Sequence, residues 1–493
     1  MTAPSLHPFL DGKAKQLYIG GRWQPAQSGK TMPTWNPATG QVLAAVAEGD
    51  ATDIDLAVAA ARAALDGPWA RFTPADRQRV LLRLADLLAA NFDELALLDT
   101  LNMGAPISRT RAGKERLVNT LRFYAAAAVN IRGETIDLSL PGAWHAYTAR
   151  EPIGVVGAIT PWNGPTTATL WKVGPVLATG CTVVLKPAEE APLTPLRLAE
   201  LIEQAGVPPG VVNVVTGAGE TAGAALSGHP GVDKLAFTGS VATGQAIVRA
   251  SAGNLKKLSL ELGGKSPNII FADADLDAAA PAAALAIFAN SGQICSAGSR
   301  LFVERSIHDE FVARVAAAGK ALRLGPGTDP ATEIGPLVSR EQLERVTRYL
   351  AIGQQEGAKL YSGGTRVTEG ALADGWFVEP TVFTEARDDM RIAREEIFGP
   401  VVTALAFDSI DEVLGRGNAT EFGLGGGVWT RDINKAHTVA RKLAAGTVWV
   451  NCYQAMDPAL PFGGYKMSGY GKEASHLQID GYLSTKAVCI KVG

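Results

Sequence analysis

Between residues 150 and 250 the chain alternates short apolar runs with longer mixed ones, and this alternation constrains the fold more than any other feature. The runs IGVVGAIT, CTVVLKP, VVNVVTG and KLAFTGS are continuously apolar rather than apolar at every second residue. A strand that is apolar on both faces must be buried on both, as in a parallel sheet covered by helices. The intervening stretches TATLWKVGPVLATG, TPLRLAELIEQAG, GETAGAALSG and VATGQAIVRASAG read as those helices. Such sheets take ligands beyond the carboxyl ends of their strands.

The pattern returns between 265 and 451, where NIIF, RLFVE, VVTALAF, GGVWT and GTVWVN are candidate strands of a second α/β domain. A chain of 493 residues has room for two or three domains. Upstream, Ile54, Val58, Ala61 and Leu65 share one helical face that stops at Gly67, and Val80, Leu84 and Leu87 share another. Asn91 followed by Glu94 reads as a capping box opening a further helix that ends near Gly104. Two extended runs, residues 131–150 and the C-terminal YLSTKAVCIKV, belong to neither sheet by position. Either they pair with each other or they pair with another subunit, as a projecting arm.

A net charge of −3 gives no reason to expect nucleic acid or an acidic membrane as partner. The N-terminal run MTAPSLHPFLDGKAK has no apolar core of a secretory signal, and no apolar run reaches transmembrane length. The cysteines Cys181, Cys295, Cys452 and Cys489 are widely spaced, and the His residues do not cluster. Neither a disulfide framework nor a metal site is expected, and the reducing cytoplasm is the expected compartment.

Chemistry concentrates at a thiol and a carboxylate. Cys295 sits in FANSGQICSAGSR, whose small and polar neighbours suit an accessible turn better than a core. Its plainer reading is a small buried hydrophobe. Glu261 ends the strand-like LSLE and precedes two glycines, so it is either a solvated strand-end carboxylate or a mobile base able to activate water. PWNGP at 161–165 is a turn after a strand, in which the Asn163 amide is an uncharged donor suited to an oxyanion. FTGSVATG at 237–244 is a strand-to-helix turn, either an ordinary Ser cap or a pyrophosphate site; it does not match GxGxxG. KPAEE at 186–190 also follows a strand. There Lys186 and Glu189 are placed to grip an adenosine ribose, and a carboxylate at that point favours NAD over NADP.

PWN, KPAE, FTGSxxxG, ELGGKSPNI, GQxCxAGSR, EEIFGPV and PFGGYKxSGxG occur in this order between residues 161 and 471. As an ordered set they closely resemble the NAD(P)-dependent aldehyde dehydrogenase family, and the flanking segments extend the resemblance over essentially the whole chain. It implies a Rossmann-like parallel-sheet NAD-binding domain (1–128 and 150–260). It also implies an α/β catalytic domain (261–470) and a small β bridging arm (129–149 and 471–493) that assembles a homodimer or homotetramer. Cys295 would be the nucleophile and Glu261 the base. Asn163 and the Cys295 backbone N–H would form the oxyanion hole, with Lys172 near the catalytic centre. Lys186, Glu189, Gly239, Ser240, Gly244, Trp162, Glu396 and Phe398 would hold the cofactor, NAD rather than NADP. The family chemistry is aldehyde oxidation through a thiohemiacetal and a hydrolysed thioester.

Departures shape the substrate expectation. The C-terminal glutamate of several relatives is replaced here by Ser484, which would remove a secondary proton route. Gly164 stands where many relatives have an aromatic residue, and Gln454 and Met456 occupy a loop that often carries aromatic or acidic pocket residues. With Thr167, Trp171, Ala289, Ile294, Ser296 and Phe462 they predict an apolar pocket without an arginine. The expected substrate is a bulky uncharged aldehyde, aryl, terpenoid or aliphatic, rather than a semialdehyde acid. A CoA-acylating enzyme and a non-enzymatic protein on the same fold are the alternatives; Glu261 argues against the first, and the set Cys295, Asn163 and Glu261 against the second.

Overall fold

The computed structural model describes residues 7–492. The first six residues of the N-terminal run and Gly493 of the arm segment lie outside the described residues. The apolar runs of the first alternation form an eight-stranded sheet. Its order is Gly469–Tyr470, Lys257–Glu261, Lys234–Thr238, Val155–Thr160, Thr182–Pro187, Val212–Val214, Leu17–Ile19 and Arg22–Gln24. The strands from Lys257–Glu261 to Val212–Val214 are parallel; Gly469–Tyr470 and Leu17–Ile19 run antiparallel to them, and Arg22–Gln24 pairs antiparallel with Leu17–Ile19. Every residue of Val155–Thr160 and Thr182–Pro187 is buried. Each Val, Leu or Ile removed from water there stabilises the fold by roughly 1.5–3 kcal/mol, so continuous apolarity selects the doubly covered sheet.

The chain enters the parallel part of this sheet at Val155–Thr160, builds outward through Thr182–Pro187 to Val212–Val214, then returns to the other side of Val155–Thr160. The order therefore reverses at Val155–Thr160, the point at which sheets of this kind leave a ligand crevice beyond the strand ends. PWN, KPAE, FTGS and ELGG all leave strands at that end. The second alternation forms a seven-stranded sheet in the order Lys359–Ser362, Thr381–Thr384, Val401–Phe407, Arg300–Glu304, Pro267–Ile270, Gly425–Trp429 and Thr447–Val450. It is parallel except at the Lys359–Ser362 edge.

The two extended runs pair with each other. Leu483–Lys491 lies antiparallel to Trp144–Pro152, and Thr135–Ile136 adds a third short strand. Among the described residues no helix is long and apolar enough to cross a membrane.

Three local readings change. The capping box at Asn91 and Glu94 does not form. Asn91 closes the preceding helix Pro74–Ala90, its amide donating to the Leu87 carbonyl at 2.8 Å. Glu94 instead accepts two hydrogen bonds from Arg197, at 2.9 and 3.1 Å, and a forked charged pair outcompetes one backbone N–H. GETAGAALSG splits into a wide π turn, Gly219–Gly223, and a single short helix, Ala224–Gly228. The strands between Leu17 and Ala47 were not anticipated, because mixed burial leaves them without a clear period. The helices Ile107–Ala112 and Lys114–Ala128, also outside the sequence reading, form one wall of the cleft described below.

Candidate active site

The helix Leu276–Phe288 ends in three consecutive residues with left-handed backbone: Asn290 (φ 53°), Ser291 (φ 56°) and Gly292 (φ 71°). Asn and Ser rarely hold this conformation unless their surroundings impose it. Ser291 Oγ donates to the Gly335 carbonyl at 2.7 Å. Gln293 donates to Asn290 and accepts from the Val338 N–H at 2.9 Å. A side chain at Gly292 would collide with the Gly399 carbonyl. The clamped turn delivers Cys295, half-buried, beside Trp171, Trp449, Met456 and Phe462. Burial first, then the charges of Glu396 and Glu261, push its thiol up to about 12.

The turn after Val155–Thr160 brings Asn163 to the same place. Its Nδ2 donates to the Gln293 carbonyl at 2.9 Å, which uses one amide hydrogen and aligns the other. Glu261 reaches the site from the carboxyl end of its strand. It is buried, and neither carboxylate oxygen has a hydrogen-bond partner. Burial, followed by the charge of Glu473, holds its pKa well above the ordinary value, partly offset by Lys172 and Lys472. Solvated strand-end glutamate is therefore not what this residue is. The two glycines after it have a packing reason: a Cβ on Gly264 would lie 2.5 Å from the Cys295 carbonyl oxygen, and one on Gly263 would strike the Glu396 carboxylate.

On the crevice side, Lys186 and Glu189 are joined at 2.7 Å, and Glu189 also accepts from the Gly219 N–H at 3.2 Å. Burial works to raise the Glu189 pKa, but the Lys186 charge and hydrogen bond outweigh it and leave the carboxyl below its usual value. Ser240 caps the helix Val241–Ser251 by accepting from the Thr243 N–H, and Gly244 admits Leu262 against that helix. The Gly239 N–H donates to the Glu261 carbonyl at 3.0 Å. Glu396 accepts from the Gly264 N–H at 2.9 Å, and burial lifts its pKa to about 7. Phe398, itself at φ 62°, meets the Trp162 ring edge-on at 5.3 Å.

A cleft of about 680 Å³ is lined by Ile294 and Ser296, the residues on either side of Cys295; Cys295 itself is not part of the lining. Gly164, Thr167, Ala289 and Met456 also line the cleft, as does Gln454. Trp171 and Phe462 lie outside that lining; their rings pack 6.0 Å apart in the apolar cluster beside Cys295. The expectation of a pocket free of arginine fails, because Arg109 and Arg116 both line the cleft. They belong to the run RTRAGKER, which the sequence reading did not single out.

The carboxylate expected to be missing is present at another position. Ser484 lies in the arm opposite Glu151. Glu473, in GYGKEASH, is buried, forms an ion pair with Lys172 and accepts from Gln478. Gln478 is held in turn by the Tyr124 hydroxyl and donates to the Trp171 carbonyl at 2.7 Å. Tyr124 can approach because Gly174 has no side chain to meet its ring. Breaking a buried pair on one side strands a charge, so Glu473→Leu is expected to cost about 3–5 kcal/mol. Thermal unfolding of Glu473→Leu, Lys172→Met and the double variant measures this. The double variant should recover much of the loss, and additive losses would count against a coupled pair.

The family model described as the aldehyde dehydrogenase family matches residues 23–488. The chain belongs to the aldehyde dehydrogenase family. It is 49% identical over 497 residues to the mitochondrial aldehyde dehydrogenase of Homo sapiens, covering 100% of this chain and 94% of the relative. It is 47% identical over 493 residues to retinal dehydrogenase 2 of Homo sapiens, covering 99% of this chain and 94% of that one. Among solved structures, an NAD⁺ complex of aldehyde dehydrogenase from Bacillus cereus superposes with a TM-score of 0.96 at 47% identity, over 100% of this chain and 99% of that one. In this aldehyde dehydrogenase the thiol, the Asn163 amide and the Glu261 carboxylate come from segments far apart in sequence, at the strand ends where such sheets take ligands.

Proposed function

We propose that this chain oxidises an aldehyde to a carboxylic acid with NAD, by covalent capture on Cys295 and hydrolysis under Glu261. The observation that carries this reading is a half-buried thiol two residues after the Gln293 carbonyl that holds the Asn163 amide, within electrostatic reach of the Glu261 carboxylate, which is buried with no hydrogen-bond partner. A soft nucleophile, a neutral oxyanion donor and a base are what acyl chemistry at a carbonyl needs.

The crevice fits the cofactor. Glu189, held ionised by Lys186 and the Gly219 N–H, would accept from ribose hydroxyls and repel a 2′-phosphate. Ser240 and the first turn of its helix would face the pyrophosphate, with Gly239 and Gly244 permitting close approach. Glu396, Phe398 and Trp162 would position the nicotinamide end. When bound, NAD supplies the acceptor for hydride.

Cys295 must first lose its proton to solvent, and the neutral forms of Glu396 and Glu261 assist by withdrawing the charges that oppose the thiolate. Attack then forms a thiohemiacetal on Cys295. The Asn163 amide and the Cys295 backbone N–H hold the alkoxide, a contribution of about 10²–10³ in rate per donor. Loss of hydride from the captured carbon leaves a thioester. Glu261 takes a proton from water, which attacks the thioester, and the acid departs. Lys172 stands behind Glu261 as the buried partner of Glu473 and favours the ionised base. The arm would join subunits into a dimer or tetramer, and the free thiols of all four cysteines suit a reducing cytoplasm.

Apolar walls at Ala289, Ile294 and Met456 suit the hydrocarbon part of the aldehyde. A screen of aliphatic and aromatic aldehydes, read as NADH formation with the acid identified as product, tests the proposal. NAD should exceed NADP in kcat/KM by about tenfold or more, and Glu189→Gln should narrow that ratio by weakening NAD and admitting NADP. Equal use of both cofactors by the unaltered protein would remove the role of Glu189. Acyl-CoA accumulating when CoA is added would replace hydrolysis by acyl transfer.

A further inference from the structure

Two arginines in the cleft wall have no part in the chemistry described above. The helices Ile107–Ala112 and Lys114–Ala128 place Arg109 and Arg116 in the same cleft as Asn163, Ile294 and Ser296. Two other arginines on these helices find carboxylates outside the cleft: Arg111 meets Asp93 at 3.0 Å, and Arg122 meets Asp86 at 4.0 Å. The guanidinium groups of Arg109 and Arg116 have no ion pair or hydrogen bond with any described residue.

The carboxylates that share the cleft wall do not neutralise them. Asp99 accepts from the Thr166 hydroxyl at 2.7 Å, and burial lifts its pKa to about 6. Glu333 accepts from the Arg323 backbone N–H at 3.0 Å. No lysine lines the cleft. Arg109 is exposed and Arg116 half-buried; crowding by surrounding protein lowers the Arg109 pKa, and the like charge of Arg116 adds to the effect. For Arg116 burial is the cause. Two guanidinium groups close enough for their like charges to interact, sharing one cleft without a counter-ion, favour an entering anion. The planar fork of arginine matches a carboxylate through two parallel hydrogen bonds.

We propose that Arg109 and Arg116 form an anion subsite of the aldehyde cleft, and that the preferred substrates carry a carboxylate remote from the aldehyde carbon. This rests on the reading of the cleft as the place of aldehyde oxidation. It replaces the uncharged aldehyde expected from sequence by a semialdehyde acid with an aliphatic or aromatic body. Ala289, Ile294 and Met456 contact that body, while the arginines take the charged end. Discrimination arises because an uncharged aldehyde leaves both guanidinium groups unpaired in the cleft.

Matched pairs of aldehydes test the subsite: 4-carboxybenzaldehyde against 4-methylbenzaldehyde, and adipic semialdehyde against hexanal. The acid of each pair should show the higher kcat/KM by about tenfold or more, mainly through KM. Arg109→Gln and Arg116→Gln should each remove most of that advantage, leaving the uncharged member within about twofold. Lysine at either position should restore part of it, and added salt should shrink it in the unaltered protein. Terephthalate should compete with 4-methylbenzaldehyde in the unaltered protein and much less in Arg116→Gln. Equal or better use of the uncharged members overturns the subsite and leaves the aldehyde-oxidation reading standing. Equal loss on both members, or a changed oligomeric state in size-exclusion chromatography with no change in preference, assigns the arginines a structural role and also overturns it. NADH formation from none of these aldehydes would overturn both readings.

Discussion

Cys295→Ala is expected to abolish aldehyde-dependent NADH formation, by a factor on the order of 10⁴ or more, while the protein stays folded. Without the sulfur no thiohemiacetal forms, so Asn163 has no captured alkoxide to hold and Glu261 no thioester to hydrolyse. The large factor follows because these groups act in sequence on one covalent species. Cys452 packs in the same apolar cluster but does not sit at the tip of the clamped 290–292 turn, so it should not substitute. Circular dichroism and thermal unfolding separate loss of chemistry from loss of fold. With burial and two nearby carboxylates holding the Cys295 thiol up at about 12, its alkylation by iodoacetamide should keep accelerating as pH rises through the alkaline range. A residual rate above about a hundredth of the unaltered protein would remove Cys295 from the covalent step.

Glu261→Gln is expected to separate the two halves of the reaction. Capture and hydride loss should proceed once per site, giving a burst of NADH, after which turnover should fall by about 10²–10³. The acyl group should remain on Cys295 and be visible by mass spectrometry of the intact protein. In the unaltered protein the hydrolytic step should gain rate as pH rises through a pKa above that of an ordinary glutamate. The sign follows from the structure: a base acts when deprotonated, and burial together with Glu473 disfavours the charged form of Glu261. Glutamine at 261 should erase this limb of the profile. A linear time course without a burst would move Glu261 to the step before hydride loss.

Much of this was legible in the sequence because the signals are local. Continuous apolarity in IGVVGAIT and CTVVLKP allows no strand environment but one buried on both faces. Glycines next to Glu261 and Cys295 marked close backbone approaches, and the structure shows what approaches: the Glu396 carboxylate at Gly263, the Cys295 carbonyl at Gly264 and the Gly399 carbonyl at Gly292. The Asn91 and Glu94 reading failed for a non-local reason, since Arg197, distant in sequence, holds Glu94 more strongly than a helix-end N–H does. Glu473 escaped because nothing in GKEASH distinguishes a buried acid from a solvated one until Lys172 is brought against it. Ser484 was read in its place because nearness along the chain stood in for nearness in space.

The sequence by itself determined the layers: two parallel sheets with their loops at the carboxyl ends, and a thiol, an amide and a carboxylate carried to those ends. That follows from period and apolarity, which act over a few residues. Only the tertiary structure decided which charges share a cleft and which are buried without partners. Lys172 and Glu473 stand 301 positions apart, and Arg109 and Arg116 share the lining of one cleft with Ile294 and Ser296 from another part of the chain. Burial and charge pairing depend on distance in space, so neither is legible from an arginine's neighbours along the chain.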